Sequence, residues 1–538
     1  MSGMLQQWRA AVERDLLHSG FVSSAEIHPD RPAVDVNGVT LSYRDLLQRA
    51  TAIAATLQRR TPSDGSLLTA VFAHRSATAF AGILGALCAG RGYVPLNPTF
   101  PADRSRWMLR NAGCRSIVVD SRSEEQLDTI LEGIASPLLI VLPERKDVGA
   151  LANRWPQHAI LGSEDLDPAG SWTPRRTAAD AVAYLLFTSG STGAPKGVMV
   201  THRNVTHFVG AIADRYGIAA DDRFSQMFDL TFDLSVFDMF VAWQRGACVC
   251  CPSEKAVFNP SRFIREMQLT VWASVPSVGV LMKRLGSLKG NSYPSLRLSV
   301  FCGEPLPVDL AMSWLDAAPG TVLENLYGPT ELTVACSAYR WQSDRSPAES
   351  ELGIVPIGHP VPGMTAMVVD QDLREVPNGC AGELLMSGPQ VTPGYWQNDE
   401  ATARSFVRPP GKDTVFYRTG DRVRRALADE SLTYIGRVDH QIKVHGYRVE
   451  LGEVESRLRE QPGVEAAVAL GWPVSPTGAG GIVAFLTGRG IDVAAVRSSL
   501  RTKLQSYAVP QVIHVLPEMP LNSNGKVDRP ALLGLLEP

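Results

Sequence analysis

Residues 186 to 197 read Leu-Phe-Thr-Ser-Gly-Ser-Thr-Gly-Ala-Pro-Lys-Gly. The hydroxyls of Thr188, Ser189, Ser191 and Thr192 alternate with Gly190 and Gly193, and Lys196 stands just before Gly197. Glycines let successive backbone N–H groups face one anion, and small hydroxyls add donors without bulk. The lysine adds a point cation. A loop of this composition suits a phosphate. It is not a Walker A loop, because no Gly-Lys-Ser/Thr closes it. The plain alternative is an exposed Ser/Gly linker. Against that stand the compact apolar run 181–187, which fits a buried strand, and the helical spacing that follows. Val205, Phe208, Val209 and Ile212 fall on one face of a helix predicted over 203–216, with Gly217 as its C-terminal cap. The loop is therefore expected to follow a buried strand and to precede a helix.

Outward from this loop, the first ~435 residues mix apolar runs with helical periodicity, the pattern of an α/β protein. The last ~100 residues read as a small unit of their own. Helices are predicted over 451–459, with Leu451, Val454 and Leu458 on one stripe, and over 493–504, with Val493, Val496, Leu500 and Leu504. Strands are predicted over 464–470, 482–486 and 512–516. Gly and charged residues interrupt the pattern at 436–441, which sets a division into 1–438 and 439–538. A chain of 538 residues exceeds one ordinary core, so two domains are expected.

Composition excludes several classes. Lys plus Arg is 52 against Asp plus Glu at 55, a formal net charge of -3 that gives no sign of nucleic-acid or membrane-surface binding. The N-terminal 20 residues carry no apolar h-region, and the longest apolar stretches, such as 80–90, fall short of the ~20 residues a membrane span needs. Cys248, Cys250 and Cys251 cluster around Val249 without a partner His or second Cys pair, which reads as a strand in a reduced core rather than a metal site. A soluble cytoplasmic protein is the expectation.

Further motifs follow in order: Leu-Ser-Tyr-Arg-Asp-Leu at 41–46, Tyr-Val-Pro-Leu-Asn-Pro at 93–98, Asn-Leu-Tyr-Gly-Pro-Thr-Glu at 325–331, and Gly-Glu-Leu at 382–384. Tyr-Arg-Thr-Gly-Asp at 417–421, Gly-Arg-Val-Asp-His-Gln-Ile-Lys-Val-His-Gly-Tyr-Arg at 436–448 and Asn-Gly-Lys-Val-Asp at 524–528 complete them. With the phosphate loop, this set resembles the adenylate-forming superfamily, and within it the adenylation enzymes of nonribosomal peptide synthesis. Asn97 stands where that family usually has Asp. The resemblance implies a large N-terminal part built of several subdomains and a small, mobile C-terminal α+β part.

It also implies roles. Activation joins a carboxylate to the α-phosphate of ATP and releases pyrophosphate, so two anions must meet among cations and donors. Lys526 would bridge carboxylate and α-phosphate, with Thr330 donating to that phosphate and Arg437 approaching the phosphates from the hinge side. Glu331, with Thr192, would hold Mg²⁺, a hard ion that prefers oxygen. Tyr327 would stack on adenine, Asn325 would read its amino edge, and Asp421 would accept from the ribose hydroxyls. Gly303, Glu304, Pro305, Leu326 and Gly328 complete the nucleotide site. Asp439 would be the hinge about which the small part turns between two half-reactions, presenting Lys443 and Gly446 to the site for thioester formation.

Asp233 is the position that pairs with a substrate α-ammonium in amino-acid-activating members. A buried carboxylate facing an acyl chain would be an unpaired charge, which argues against an acyl-CoA ligase; the alternative is an Asp capping a helix that begins near Ser235. Leu234, Phe237, Ser274, Val300, Cys302, Leu326, Val334 and Ala335 would line the remaining pocket. The lining is apolar apart from Ser274, and Phe237 and Leu326 add bulk, so a small side chain is expected. Local text, including Cys302, resembles the D-alanine–carrier protein ligases, which favours D-alanine over glycine, L-alanine or serine. Leu326 replaces the smaller polar residue usual there. The chain stops 12 residues after Lys526, so the acceptor is expected in trans, on the phosphopantetheine of a separate carrier protein. A non-catalytic nucleotide-binding protein is the rival from another class, disfavoured because Lys526, Glu331, Thr330 and Asp421 are all present.

Overall fold

In a computed structural model, residues 15–36, 38–189, 195–253, 259–425, 427, 431–438, 441–475, 477–520 and 527–536 are described. Two large sheets form the body. A seven-stranded sheet runs in the order Ala159–Leu161, Leu139–Val141, Ser116–Val119, Leu68–Phe72, Gly92–Leu96, Val182–Thr188 and Lys196–Thr201. Its strands pair in parallel except the last two. Leu68–Phe72, Gly92–Leu96 and Ser116–Val119 are buried at every position. Continuous apolar runs of this kind are what a sheet covered on both faces requires. The helices Tyr43–Arg60 and Ala77–Cys88 belong to the same buried cluster. The first is started by a capping box in which Ser42 and Asp45 satisfy each other's backbone amides.

A nine-stranded sheet carries Arg223–Ser225, Val271–Ser274, Leu298–Cys302 and Val322–Tyr327 as parallel neighbours. Their carboxyl ends fall on one side, and open α/β sheets bind ligands there. Cys248–Cys250 is a strand of this sheet, and its thiols are free. A five-stranded sheet follows, in which Phe416–Arg424 pairs with Thr433–Arg437 and brings Asp421 opposite Arg437.

From Gln441 onward the chain builds its own sheets, one of four strands and one of three, the latter from Val464–Gly471, Ile482–Gly488 and Val512–Val515. The helices Leu451–Arg459 and Val493–Lys503 cover it, burying Val454, Leu458, Val496 and Leu500 in a separate core. The molecule is thus an α/β protein with a large N-terminal part and a small C-terminal one. The elements match the periodicity to within a residue or two. Among the described residues no helix is long and apolar enough to cross a membrane.

Between the phosphate loop and the predicted helix lies a strand the periodicity did not announce: Lys196–Thr201 pairs antiparallel with Val182–Thr188, with Thr188 opposite Lys196. Val198 and Val200, β-branched and buried, fit this alternation. The helix His202–Arg215 starts only after Thr201, which caps it reciprocally with Asn204, and Gly217 follows its end at φ +53°.

Candidate functional site

The carboxyl ends of the nine-stranded sheet, the start of the phosphate loop and the turn after Val444 enclose a cleft of about 910 Å³, part of it open to solvent. Thr188, Ser189, Asp233, Leu234, Gly303, Tyr327, Gly328, Thr330, Val334, Asp421 and Arg437 line it from the large part, and Lys443, Gly446 and Arg448 from the small one. A narrower slot of about 370 Å³ adjoins it, lined by Gly303, Glu304, Pro305, Asn325, Leu326, Tyr327, Gly328 and Lys443. Residues far apart in sequence therefore converge as the motifs implied.

In the slot, Asn325 Nδ2 donates to the carbonyls of Pro356 at 2.8 Å and Val355 at 3.3 Å, which leaves its oxygen as the acceptor for an amino group. Gly328 has to be glycine, because a Cβ there would lie 2.6 Å from Ala335 Cα. Tyr327 donates its hydroxyl to Asp421 Oδ2 at 2.5 Å, and Arg437 Nη1 donates to Asp421 Oδ1 at 2.8 Å. Arg437 thus rests on the expected ribose acceptor. Glu304, pushed up by burial, accepts from the Ser277 amide at 2.7 Å and so holds the start of helix Pro276–Arg284.

At the other end, Asp233 is 5% exposed and its Oδ2 has no hydrogen-bond partner among the described residues. Burial, offset in part by the Thr330 hydroxyl and reinforced by the charge of Glu331, pushes its carboxyl up to about 7. The residue precedes the short helix Leu234–Val236, yet its side chain makes no capping hydrogen bond, so the capping alternative does not describe it. Leu234, Phe237, Ser274, Val300, Cys302, Leu326, Val334 and Ala335 are all buried. Leu234 and Val334 reach the cleft and Leu326 the slot, while Phe237, Ser274, Val300, Cys302 and Ala335 do not line either among the described residues. Ser274 accepts from Trp272 Nε1 at 3.0 Å and donates to the Val275 carbonyl at 3.2 Å. The single hydroxyl of the set is therefore used internally, and the wall is apolar in effect. Burial pushes the Cys302 thiol up to about 12.

The small part reaches into the cleft through its turn at 445–446. Gly446 sits at φ +83°, and a Cβ on it would lie 2.5 Å from Val275 Cγ1, an approach that glycine alone permits. Burial depresses Lys443. Arg448 Nη1 lies 3.0 Å from Glu331 Oε2, Tyr395 donates to Glu331 Oε1 at 2.7 Å, and Ser189 donates to the Arg448 carbonyl at 2.7 Å. Glu331 is 1% exposed, and against its burial the Arg448 guanidinium and Tyr395 hold its carboxyl below the usual range. Farther out, Arg104 bonds Glu453 at 3.2 Å in a pair nearly closed to solvent, and Tyr447 stacks on Tyr507 with ring centroids 3.9 Å apart.

Two expectations meet a different arrangement. Lys196 does not line the cleft; it lies over the Tyr395 ring, 5.3 Å from its centroid, in a neighbouring basin. Glu331, expected to hold Mg²⁺, has both oxygens engaged, so with the small part placed as it is the residues do not fit a divalent ion. Lys526, Asp439, Gly190, Ser191, Thr192 and Gly193 lie outside the described residues. The residues the motifs left without a role are Tyr395, Arg448, Arg104 and Glu453. Arg448 closes a quoted motif, and its neighbour Glu331 was named, but nothing in a linear spacing pairs positions 117 apart.

Comparison with known proteins agrees with this geometry. The AMP-binding enzyme family matches residues 21–396, and the AMP-binding enzyme C-terminal domain matches residues 453–526. The chain belongs to the AMP-binding enzyme family and is of the adenylation type found in nonribosomal peptide synthetases. It is 31% identical to tyrocidine synthase 3 of Brevibacillus parabrevis over 96% of this chain, which spans only 8% of that much longer protein. Among solved structures, the Vibrio cholerae adenylation domain AlmE in complex with glycyl-adenosine-5'-phosphate superposes with a TM-score of 0.86 at 30% identity, covering 97% of both chains. PA1221, a nonribosomal peptide synthetase protein containing adenylation and PCP domains, superposes at 0.77 and 25% identity, covering all of this chain and 86% of its own.

Proposed function

We propose that the protein activates a small amino acid with ATP and then passes it to the phosphopantetheine thiol of a carrier protein. The substrate carboxylate attacks the α-phosphorus and the bond to the β-phosphate bridging oxygen breaks, giving aminoacyl-AMP and pyrophosphate. The carrier thiol then loses its proton and attacks the acyl carbon, and AMP leaves.

The observation that carries this reading is Asp233: a buried carboxylate with an unpartnered oxygen, opening on an apolar cleft beside a slot suited to a base. Such a group is costly unless a cation arrives, and the α-ammonium of an amino acid is that cation. Asn325 supports adenine, and Thr330, in the cleft beside Asp233, supports the phosphoryl. Lys526 and Arg437 take the remaining charge, Asp439 is the hinge, and the moving pieces are 1–438 and 439–538. Lys443, on strand Gln441–Val444, and Gly446, in the turn that follows it, line the cleft and support a placement ready for thioester transfer. The adenylation-plus-PCP neighbour supports a carrier acceptor, and the free cysteines fit a reducing cytoplasm.

D-alanine is the favoured substrate. Glycine is the second reading, favoured by the neighbour with bound glycyl adenylate and by an apolar wall whose single hydroxyl is spent. One methylene separates by only about 1–3 kcal/mol, so the test is ATP–pyrophosphate exchange over glycine and both enantiomers of alanine and serine, with a fatty and an aromatic acid as controls. The expected result is exchange with D-alanine above glycine, and none with acids lacking an amine. Exchange driven by the amine-free acids alone overturns the reading.

A further inference from the structure

Two turns of the large part are built alike. Asn97-Pro98-Thr99-Phe100 follows strand Gly92–Leu96 of the seven-stranded sheet, and Asp229-Leu230-Thr231-Phe232 lies just beyond strand Arg223–Ser225 of the nine-stranded one. In each, Oδ1 of the first side chain accepts from both the amide and the hydroxyl of the threonine. The distances are 2.7 and 2.8 Å from Thr99, and 2.9 and 2.5 Å from Thr231. The first carbonyl of each turn accepts from the amide of its phenylalanine, at 3.0 Å from Phe100 and 2.9 Å from Phe232. Asn and Asp favour such turns because their short side chains take backbone hydrogen bonds two residues on. Both phenylalanines line the cleft, and Asp233 is the residue after Phe232.

The two turns touch at their first residues. Asn97 Nδ2 donates to Asp229 Oδ2 at 2.7 Å, and both residues are half-buried. Since each Oδ1 is committed to its own threonine, the contact requires one amide and one carboxylate. Two carboxylates at this distance do not both ionise without being forced apart, and two amides would set NH2 against NH2. Asn at 97, where the family usually has Asp, is therefore the half that Asp229 needs. Arg75 Nη1 donates to the carbonyls of Gln226 at 3.2 Å and Met227 at 2.9 Å. The start of the same loop is thus anchored separately, and Asn97 acts on the half next to Asp233.

We propose that Asn97 is a positioning residue for the amino-acid site: by holding Asp229 it ties the two large sheets together beside the cleft and fixes where Asp233 meets the α-ammonium. The inference rests on the amino-acid activation proposed above. A misplacement of about 1 Å at a bound substrate costs as much as about 10²-fold, and Asp233 is only four residues from the contact. Loosening the pair should therefore weaken the amino acid and spare the nucleotide, whose expected partners Asn325 and Asp421 lie on other strands.

The test is a double-mutant cycle on the full chain. KM values for the amino acid, with D-alanine and glycine as probes, and for ATP are read separately by ATP–pyrophosphate exchange, and urea midpoints are measured alongside. N97D and D229N are each expected to raise the amino-acid KM roughly tenfold, with the ATP KM within about twofold of the parent's. The exchanged pair N97D/D229N again sets one amide against one carboxylate, and its amino-acid KM should return to within about threefold of the parent's. N97A removes the donor without adding a second charge; it should fall between the parent and N97D, and it keeps the pair measurable if N97D folds poorly. An amino-acid KM unchanged in the single variants overturns the proposal, and so does an exchanged pair no better than they are. An equal rise in the ATP KM overturns it as well, since the pair would then act on the fold at large. A parent chain that exchanges with no amino acid sinks the activation reading instead. The contact is then still read by the urea midpoints, which fall in the single variants and recover in the exchanged pair if it holds.

Discussion

Asp233 at the substrate end of the cleft and Glu331 at the phosphate end are both carboxylates with no more than 5% exposure, yet their surroundings treat them in opposite ways. Asp233 has an oxygen without a partner, and its carboxyl is pushed up to about 7. Glu331 has a guanidinium and a phenol on its oxygens and is held below the usual range. Burial is the common term, so the difference lies in the counter-ion. Glu331 takes its counter-charge from the protein itself, whereas Asp233 keeps one oxygen that, in the reading proposed above, the ammonium of a ligand fills.

Removing the charge at the unpaired end should have the largest effect. Asp233→Asn is expected to lower kcat/KM for the amino acid about 10³-fold, the scale on which losing one partner of a buried charge pair acts, as read by pyrophosphate exchange. A loss below tenfold would mean that the ammonium is held elsewhere. Lys526→Ala comes next: pyrophosphate exchange should fall by about 10²-fold or more, while transfer from pre-formed adenylate stays nearly intact. Equal loss in both half-reactions would show that Lys526 does not separate them.

The pH dependence, read on stability and affinity and not on turnover, sharpens the contrast between the two acids. The unfolded chain ionises Asp233 near 3.8, whereas the fold holds the proton to about 7. Stability of the ligand-free protein through this group is therefore full below about pH 4, declines as pH rises to about 7 and is level above. Asp233→Asn removes that decline, so the variant should gain up to about 4 kcal/mol over the parent at pH 8 and almost nothing at pH 4, measured by denaturant unfolding at the two pH values. Amino-acid affinity should run the other way, rising about tenfold per unit up to pH ~7 as the carboxylate forms, and a flat profile between pH 5.5 and 7 would remove Asp233 from the site.

The regions that were legible in the sequence share a physical trait. Helices 451–459 and 493–503 bury one stripe each, so periodicity alone located them. The strand–loop–strand at 182–201 was read only halfway, because a six-residue strand between a Gly-rich loop and a helix carries too few turns of either period to announce itself. Thr188, Asp233, Asn325, Thr330 and Asp421 were found through their motifs, and the fold brings each of them to the cleft or slot. Of the expected pocket residues, Leu234 and Val334 line the cleft and Leu326 the slot, while Cys302, Val300 and Phe237 are buried without lining either among the described residues.

The sequence by itself determined the family, the elements of the small part and the chemical kinds of group available, because phosphate loops, apolar stripes and buried strands each demand local residue types at fixed spacing. What only the tertiary structure decided is which charges meet. Asp421 with Arg437, Glu331 with Arg448, Arg104 with Glu453 and the unpaired Asp233 all depend on strand order and on where the small part comes to rest. Electrostatic energy follows distance and burial, and neither is written in the separation of residues along a chain.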